Sequence, residues 1–566
     1  MKDGTDHCIG VSLATIQSES DDLTETWSCY IPLAHPAGGN ITDPDLYDLL
    51  ADVLESRDTL TFQNAKYDIF SLRTAGIYIE KPTFLYDLAT MANMLDDNLW
   101  EHREVSLEAM GEMYLGKSNK ITDDAYLNKE KKTGNKNITP AEMYEYACFD
   151  ASDTLIIGEL LADRIFTEGL SASWKRKQDV IWLLLKMEGR GIKIDVDKAK
   201  EYAAEGRSKM AELLEQIGVT AMSNKQLKAL LIDELHLPII GRTAKGEPSF
   251  KAEYMEEYDT LLERMDSPLA KQISAYRGWM KATTASFEPY IKKVSPDGRL
   301  RANFNTHRTS TGRLSSSDPN LQQVPKEGDK PWKAHTKSLF IPEPGYVLVN
   351  SDFSQLELRL GNVYAGEPML NDIFADPDRD LFSEMAVELG MPRPQVKTMV
   401  YALNYGAGVN KIARSLGVSK SQAQKMINDY FTAYPGFRRM MQTCIATVEQ
   451  TKTIPIWSGR KRHFNYTKQG YKGWNSLIQG GAADIVECVM LALERELDDD
   501  EKCRMLLQVH DAVVFEIRED LVEEYLPKIR RIMSDVVGAT GQKQFEVVHF
   551  DVDAKPDYGS KDWSMA

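Results

Sequence analysis

YVLVNSDFSQLELR, residues 346–359, decides the reading: an apolar run with β-branched residues ends at Asp352, a polar turn follows, and a helical pattern begins at Leu356. A carboxylate at the end of a strand is well placed to hold a metal ion. Downstream, MLLQVHDAVVFEI at 505–517 reads as two apolar strands joined by a tight His510-Asp511 turn, a hairpin that presents a second carboxylate. Two such aspartates on adjacent strands suit a pair of Mg2+ ions about 3.5–4 Å apart, which activate an attacking oxygen and steady a leaving one. A turn aspartate and a backbone-satisfied histidine would account for either segment alone.

A third segment, PRPQVKTMVYALNYG at 392–406, repeats Arg393, Lys397, Tyr401 and Tyr405 every four residues. At 3.6 residues per turn these form one slowly rotating stripe. Prolines mark the helix start, so both cations occupy its first turns, where the macrodipole disfavours positive charge unless an anion answers it. A triphosphate would do so, with Tyr401 and Tyr405 stacking against sugar and base.

The chain has 566 residues, room for three or four units with their own cores. It is 42% hydrophobic and 27% charged with mean hydropathy -0.39, and no apolar run approaches the ~18 residues that span a bilayer. Nothing at Met1 reads as a signal peptide, and six scattered cysteines without a C-x-x-C pair point to a reducing compartment, so the expected location is cytoplasmic, in a bacterium or a phage host. Residues 1–165 carry 13 Lys and Arg against 30 Asp and Glu, which accounts for the whole net charge of -17; the remainder is neutral and can bind a polyanion through local basic clusters.

Residues 1–165 alternate strand-like runs (9–14, 27–32) with helical ones (46–54), an α/β pattern. Residues 174–280 are helical with a connector at 239–249, strands return from Arg299, long helices occupy 381–451, and a β-rich part begins near Arg504. GEMYLGKS at 111–118 fits the phosphate-loop expression, but its apolar spacing predicts a helix capped near Gly116 instead. The lysine-rich stretch 128–137 reads as a loop.

In the order DFSQLELR, R-x-x-x-K-x-x-x-Y-x-x-x-Y-G and QVHD, the sequence resembles motifs A, B and C of the family A DNA polymerases. TSTGRLSSSDPNLQQVP at 309–325 resembles that family's duplex-contacting segment and NSLIQGGAAD at 475–484 its template-side helix. SNKQL at 223–227 with Lys245-Gly246 is similar to its thumb, and Trp563 to its closing tryptophan. The resemblance implies an α/β (α+β overall) fold: an RNase H-like 3′–5′ exonuclease-type domain at 1–165, then a right hand with thumb and start of palm at 166–295, palm at 296–361, fingers at 362–481 and palm at 482–566.

It implies a template-directed DNA polymerase using two Mg2+, with Mn2+ as an alternative, held by Asp352, Asp511 and the Phe353 carbonyl. Lys397 would protonate the departing pyrophosphate and Arg393 clamp its charge. Glu357 resembles the steric gate that excludes a ribose 2′-hydroxyl; Gln355, Tyr401, Tyr405, Gly406 and His510 would complete the nucleotide pocket. Thr309, Arg313, Asn475 and Gln479 would touch primer–template DNA, on the minor-groove side where sequence is nearly invisible. Deoxynucleoside triphosphates, DNA and no membrane are the expected partners, the protein a monomer.

Four positions depart from the family pattern. Tyr401 stands where phenylalanine is common, which goes with poor rejection of dideoxynucleotides; Phe382 stands at a usual phosphate-contacting histidine, Ala512 at an acidic residue, and Tyr471 at an arginine. Asn64 and Asp68, in NAKYD, resemble the second exonuclease motif, and Tyr146 and Asp150, in YACFD with Asp153 nearby, the third. The first, a D-x-E on a strand, is expected a dozen residues before Ile9, where the chain has only Asp3 and Asp6. Weak or absent proofreading is the expectation. Two rival readings are a single-subunit RNA polymerase, against which Glu357 and the exonuclease-like part speak, and a silent DNA-binding protein, against which both aspartates and Lys397 speak.

Overall fold

The computed structural model describes residues 8–20, 23–99, 105–116, 138–243, 245–325, 330–376 and 378–556. Asp3, Asp6, Lys117, Ser118, the 128–137 stretch and Trp563 lie outside the described residues. Chain contacts divide the molecule into two compact units, one of residues 1–190, 303–317 and 349–555, the other of 191–302, 318–348 and 556–566. The segment 296–361, read from sequence as one piece of palm, is therefore shared between them.

The smaller unit is mostly helical. Helix Val196–Ile217 starts at Asp195, whose carboxylate accepts from the Lys198 amide, and stops at Gly218 with φ 79. It packs on Leu269–Ala282, and the approach is close: a Cβ at Gly206 would lie 2.1 Å from Thr283 Oγ1. Leu227, Leu231, Tyr258, Leu262 and Ile273 form a core of its own beside Ile217.

In the larger unit, residues 10–32 make an antiparallel hairpin, Gly10–Ser20 with Leu23–Pro32, and Thr59–Phe62 pairs parallel with Phe84–Asp87. Helix Leu46–Glu55 buries Leu46, Leu50 and Leu54, one face at a spacing of four. Helix Pro140–Thr167 packs on the hairpin and begins with a capping box, Thr139 with Glu142, and Pro140 in the first turn. Residues 107–115 are helical as expected, and the helix ends at Gly116 with φ 66.

The second part of this unit is built on a four-stranded sheet in the order Cys503–Val509, Ala512–Arg518, Tyr346–Phe353, Val552–Pro556. Helix Gly473–Leu497 lies nearly buried and packs on Leu356–Ala365, Pro435–Thr451 and Val522–Ser534. Among the described residues, Thr467–Leu497 is the single stretch long and apolar enough to cross a membrane, contrary to the reading that none approaches that length. Alanine, isoleucine, valine and leucine raise its hydropathy without an unbroken apolar run, and 83% of its apolar window is buried inside the protein, as a core helix requires. A buried ionic network fastens it to helix Ser171–Arg190: Asp484 accepts from Arg460 and Ser458 and pairs with Arg176, while Glu487 pairs with Arg176 and Lys177.

Candidate active site

Strand Tyr346–Phe353 runs one residue beyond Asp352, burying Ser351 and Phe353 and leaving Asp352 half-buried. Its end is fixed on both sides. The Phe353 amide donates to the Asp511 carbonyl at 3.4 Å and the Ser354 amide to the Asp551 carbonyl at 2.9 Å. Gln355 then takes φ 57 to turn the chain into helix Leu356–Ala365, and Arg359 holds that turn through the carbonyls of Ser354 (2.8 Å) and Phe374 (3.0 Å). On the neighbouring hairpin His510 takes φ 56, the positive value that a two-residue turn asks of its first corner, and half-buried Asp511 follows it. Asp352 near the end of one strand and Asp511 in the turn that leads into the neighbouring strand are thus joined by a backbone hydrogen bond between Phe353 and Asp511.

Glu357, in the first turn of Leu356–Ala365, is only 7% exposed. Arg313 Nη2 donates to Glu357 Oε1 at 2.6 Å and to Asp511 Oδ1 at 3.4 Å, and the Tyr405 hydroxyl also hydrogen-bonds Glu357. Burial pushes the Glu357 carboxyl above its ordinary pKa, with Arg313 opposing and Asp511 adding to the rise. Arg313, expected from sequence against DNA, is here a cation bridging the two acidic groups. Thr309 is nearby: its hydroxyl donates to the Arg313 carbonyl at 2.6 Å.

Helix Arg393–Asn404 carries the predicted stripe, with Tyr405 as its C-cap. The anion that answers Arg393 is internal: Asp380 Oδ1 and Oδ2 accept from its Nε and Nη2 at 2.7 and 2.9 Å. Asp380 also caps helix Leu381–Leu389 through the Ser383 amide, and the Arg393 guanidinium above all holds its carboxyl well below the usual range. A bound triphosphate is therefore not needed to balance Arg393, a correction to the expectation from the macrodipole. Lys397 is exposed, and no carboxylate partners it among the described residues; its Nζ lies 5.8 Å above the Phe382 ring.

Phe382, at 2% exposure, packs beside Tyr401 at 5.7 Å and under Arg393 at 6.0 Å. Where a histidine was the expectation, an aromatic floor for two cations stands instead. The Tyr401 phenol is pushed above its ordinary pKa by burial first, then by the carboxylates of Glu357, Asp511 and Asp352, so all three act on this one side chain. Gly406, φ 70, passes so close to Tyr471 that a Cβ would stand 3.0 Å from its carbonyl oxygen. Only glycine suits both conditions.

Asn475 and Gln479 lie one turn apart on Gly473–Leu497, half-buried, with no side-chain hydrogen bond among the described residues. Their amides are available to a ligand, but no described contact joins them to the carboxylates. The helix is tied to the cationic one at the preceding residue, Trp474 Nε1 donating to Asn404 Oδ1 at 3.1 Å.

In the N-terminal part, Asn64 precedes helix Ala65–Thr74 and Asp68 lies in its first turn. Burial pushes the Asp68 carboxyl up to about 7, with Asp87 adding to the rise; the Asp150 carboxyl is pushed up to about 6 by burial, Tyr146 opposing and Asp153 adding. Asp380, the partner of Arg393, escaped the reading of sequence. Its trace was an aspartate heading the helical pattern that starts at Leu381, which announces a cap but not a salt bridge to a helix 13 residues on.

The groups that could hold a metal at this centre are all oxygen: the carboxylates of Asp352 and Asp511 and the Phe353 carbonyl. That donor set suits a hard divalent cation such as Mg2+.

Sheet, paired aspartates and cation-bearing helix belong to a mixed, helix-rich α/β fold of polymerase type. Over 99% of this chain and 97% of the other, the structure superposes with a TM-score of 0.79 on the POL domain of Pol1 from M. smegmatis, solved in complex with DNA primer-template and dNTP, at 22% identity. Residues 196–560 match the model of DNA polymerase family A, and the chain belongs to that family. It is 30% identical to DNA polymerase I of Pseudomonas aeruginosa over 93% of its own length and 59% of that protein's. With the thermostable DNA polymerase I of Thermus aquaticus it shares 30% identity over 66% of this chain and 48% of the relative. The chain thus spans about half the length of the curated relatives it matches.

Proposed function

We propose that this protein extends a primer 3′-hydroxyl on a DNA template with deoxynucleoside triphosphates. One observation carries the reading: Asp352 near the end of its strand and Asp511 in the turn before the neighbouring strand act, with Glu357, on Tyr401 of the helix that carries Arg393 and Lys397. Asp352, Asp511 and the Phe353 carbonyl would hold two Mg2+, or Mn2+ in their place. When bound, the ions supply acidification of the attacking hydroxyl and charge neutralisation at the leaving pyrophosphate.

The chain's own groups do the rest. Lys397, with no carboxylate beside it among the described residues, meets the triphosphate and gives a proton to the departing phosphate. Arg393 joins it by exchanging Asp380 for phosphate oxygens, and the Phe382 ring keeps both cations over the site. Glu357, held by Arg313 and Tyr405, occupies the space beside the sugar and excludes a 2′-hydroxyl. Tyr401 lines the same pocket and accepts dideoxynucleotides; Gln355, Tyr405, Gly406 and His510 complete it. Thr309, Arg313, Asn475 and Gln479 contact the duplex without reading its sequence, Arg313 by leaving Asp511 when ions enter.

Proofreading is weak in this reading. Residues 1–165 contain no D-x-E, and their Asp68, Asp150 and Asp153 alone make a poor two-ion site. We place the protein as a cytoplasmic monomer, in keeping with six free thiols and bacterial relatives, and divide it as exonuclease-like domain, thumb, palm and fingers along the boundaries given above.

The test is a labelled primer, matched or 3′-mismatched, with Mg2+ and with or without nucleotides. The matched primer grows with deoxynucleotides and not with ribonucleotides, and the mismatched one shortens slowly. No growth of the matched primer overturns the polymerase; prompt shortening overturns the weak exonuclease; equal use of ribonucleotides favours an RNA polymerase.

A further inference from the structure

Away from the polymerase centre, a second group of metal-ligating side chains joins two segments far apart in sequence. Helix Leu88–Leu95 ends at Asp96, and Asp97 follows it; His463 is the last residue of strand Lys461–His463, which pairs with Thr453–Pro455. One oxygen from each aspartate and one ring nitrogen of His463 all lie within 4.8 Å of one another.

Asp97 is only 2% exposed. Its Oδ1 accepts from Arg462 Nη1 at 2.7 Å and from the His463 amide at 3.1 Å, while its Oδ2 is buried with no hydrogen-bond partner among the described residues. His463 Nδ1 is likewise buried and unpartnered, 3.6 Å from Asp97 Oδ1, too far for a hydrogen bond. Two orphaned polar atoms in one spot cost stability unless something fills the place between them. Asp96 is turned toward it by Asn98, whose amide and side-chain nitrogen both donate to Asp96 Oδ1 at 3.0 Å. Two carboxylates against the one guanidinium of Arg462 leave a net negative charge beside the imidazole.

We propose that Asp96, Asp97 and His463 form a divalent-cation site separate from Asp352 and Asp511. Two carboxylates with an imidazole suit a borderline metal such as Zn2+ better than Mg2+, and three protein ligands leave a fourth position for water. Around Zn2+ with bonds of about 2.0–2.1 Å, tetrahedral ligand atoms stand about 3.4 Å apart, so the three ligand atoms, now within 4.8 Å of one another, would have to draw together on binding. Arg462 and Asn98 are the outer partners that orient the two carboxylates.

The ion staples the end of helix Leu88–Leu95 to a hairpin that itself grips the central helix. From that hairpin Trp457 Nε1 donates to the Gly481 carbonyl at 2.9 Å, and Arg460 reaches the Gly480 carbonyl and Asp484. These contacts begin one residue after Gln479. The site is independent of the proposed polymerase chemistry.

The experiment uses the full chain, stripped with chelator and then supplied with excess Mg2+ to fill the hard oxygen sites. Zn2+ is titrated against a chromophoric chelator, and thermal unfolding is recorded with and without Zn2+, for wild type, His463→Gln and Asp96→Asn. The expected result is one Zn2+ equivalent in wild type that each variant binds at least tenfold more weakly. The wild-type midpoint rises with Zn2+ while the variants, matching wild type in the metal-free state, do not respond. Equal stoichiometry and affinity in all three proteins, or an equal Zn2+ shift, overturns the site. Asp96→Asn, a change on the other segment, keeps the test decisive if His463→Gln fails to fold.

Discussion

Replacing Asp380 by asparagine separates the two things this carboxylate does. As a helix cap, asparagine serves as well as aspartate, so the Ser383 amide keeps its partner. As a counter-charge for Arg393 it is lost. Both members of that pair are about half exposed, so the pair contributes little to folding, and stability should hardly change. A triphosphate that recruits Arg393 must first displace Asp380, so the same energy reappears in nucleotide binding. Removing that competition lowers the KM for deoxynucleotide by as much as about fivefold, with kcat nearly unchanged.

Salt identifies the cause. The advantage of Asp380→Asn should be largest at low ionic strength and shrink as the screening length falls below about 10 Å. The Asp380 carboxyl titrates well below the usual range, so it stays charged at neutral pH and the KM ratio should be flat between about pH 6 and 9. Steady-state single-nucleotide insertion at several salt concentrations measures all of this. A raised KM would mean that Asp380 orients Arg393 for the substrate, and a salt-independent ratio would remove electrostatic competition as the explanation.

Lys397→Ala should lower kcat about 10²–10⁴-fold with a smaller rise in KM, read by rapid-quench insertion; a change confined to KM would make it a binding group rather than a proton donor. Asp484→Ala leaves Arg460 without its buried carboxylate and should cost about 3–5 kcal/mol, read from urea unfolding midpoints. Asp68 has a folded pKa of about 7, above its ordinary value, so the folded state holds the extra proton: wild type should gain stability as pH falls from 7 toward 5. Asp68→Asn should flatten that slope, and an unchanged slope would locate the effect elsewhere.

Local order was the legible part of this sequence. The apolar run into Asp352, the two-residue turn at His510-Asp511, the four-residue stripe from Arg393 and the stop at Gly116 each follow from neighbours in the chain, and each stands where periodicity and turn chemistry put it. Pairings across the fold were not legible. Nothing near Arg313 announces Glu357, 44 residues on, or Asp511, 198 residues on, because a side-chain bond depends on packing that spacing does not encode. The same holds for Asp380 with Arg393 and for Asp97 with His463. Thr467–Leu497 passes for a membrane-length apolar helix by mean hydropathy alone, because the protein closes around it and an unbroken apolar run is not needed for that.

Single-turnover extension rates of Asp352→Asn, Asp511→Asn and the double variant, measured across Mg2+ concentration, put the joint action of the two carboxylates to trial. Acting on the same ions, each single change should cost 10³-fold or more and the double change little beyond that. Losses that multiply, or a near wild-type rate for either single variant, would show that the two aspartates do not share a metal site.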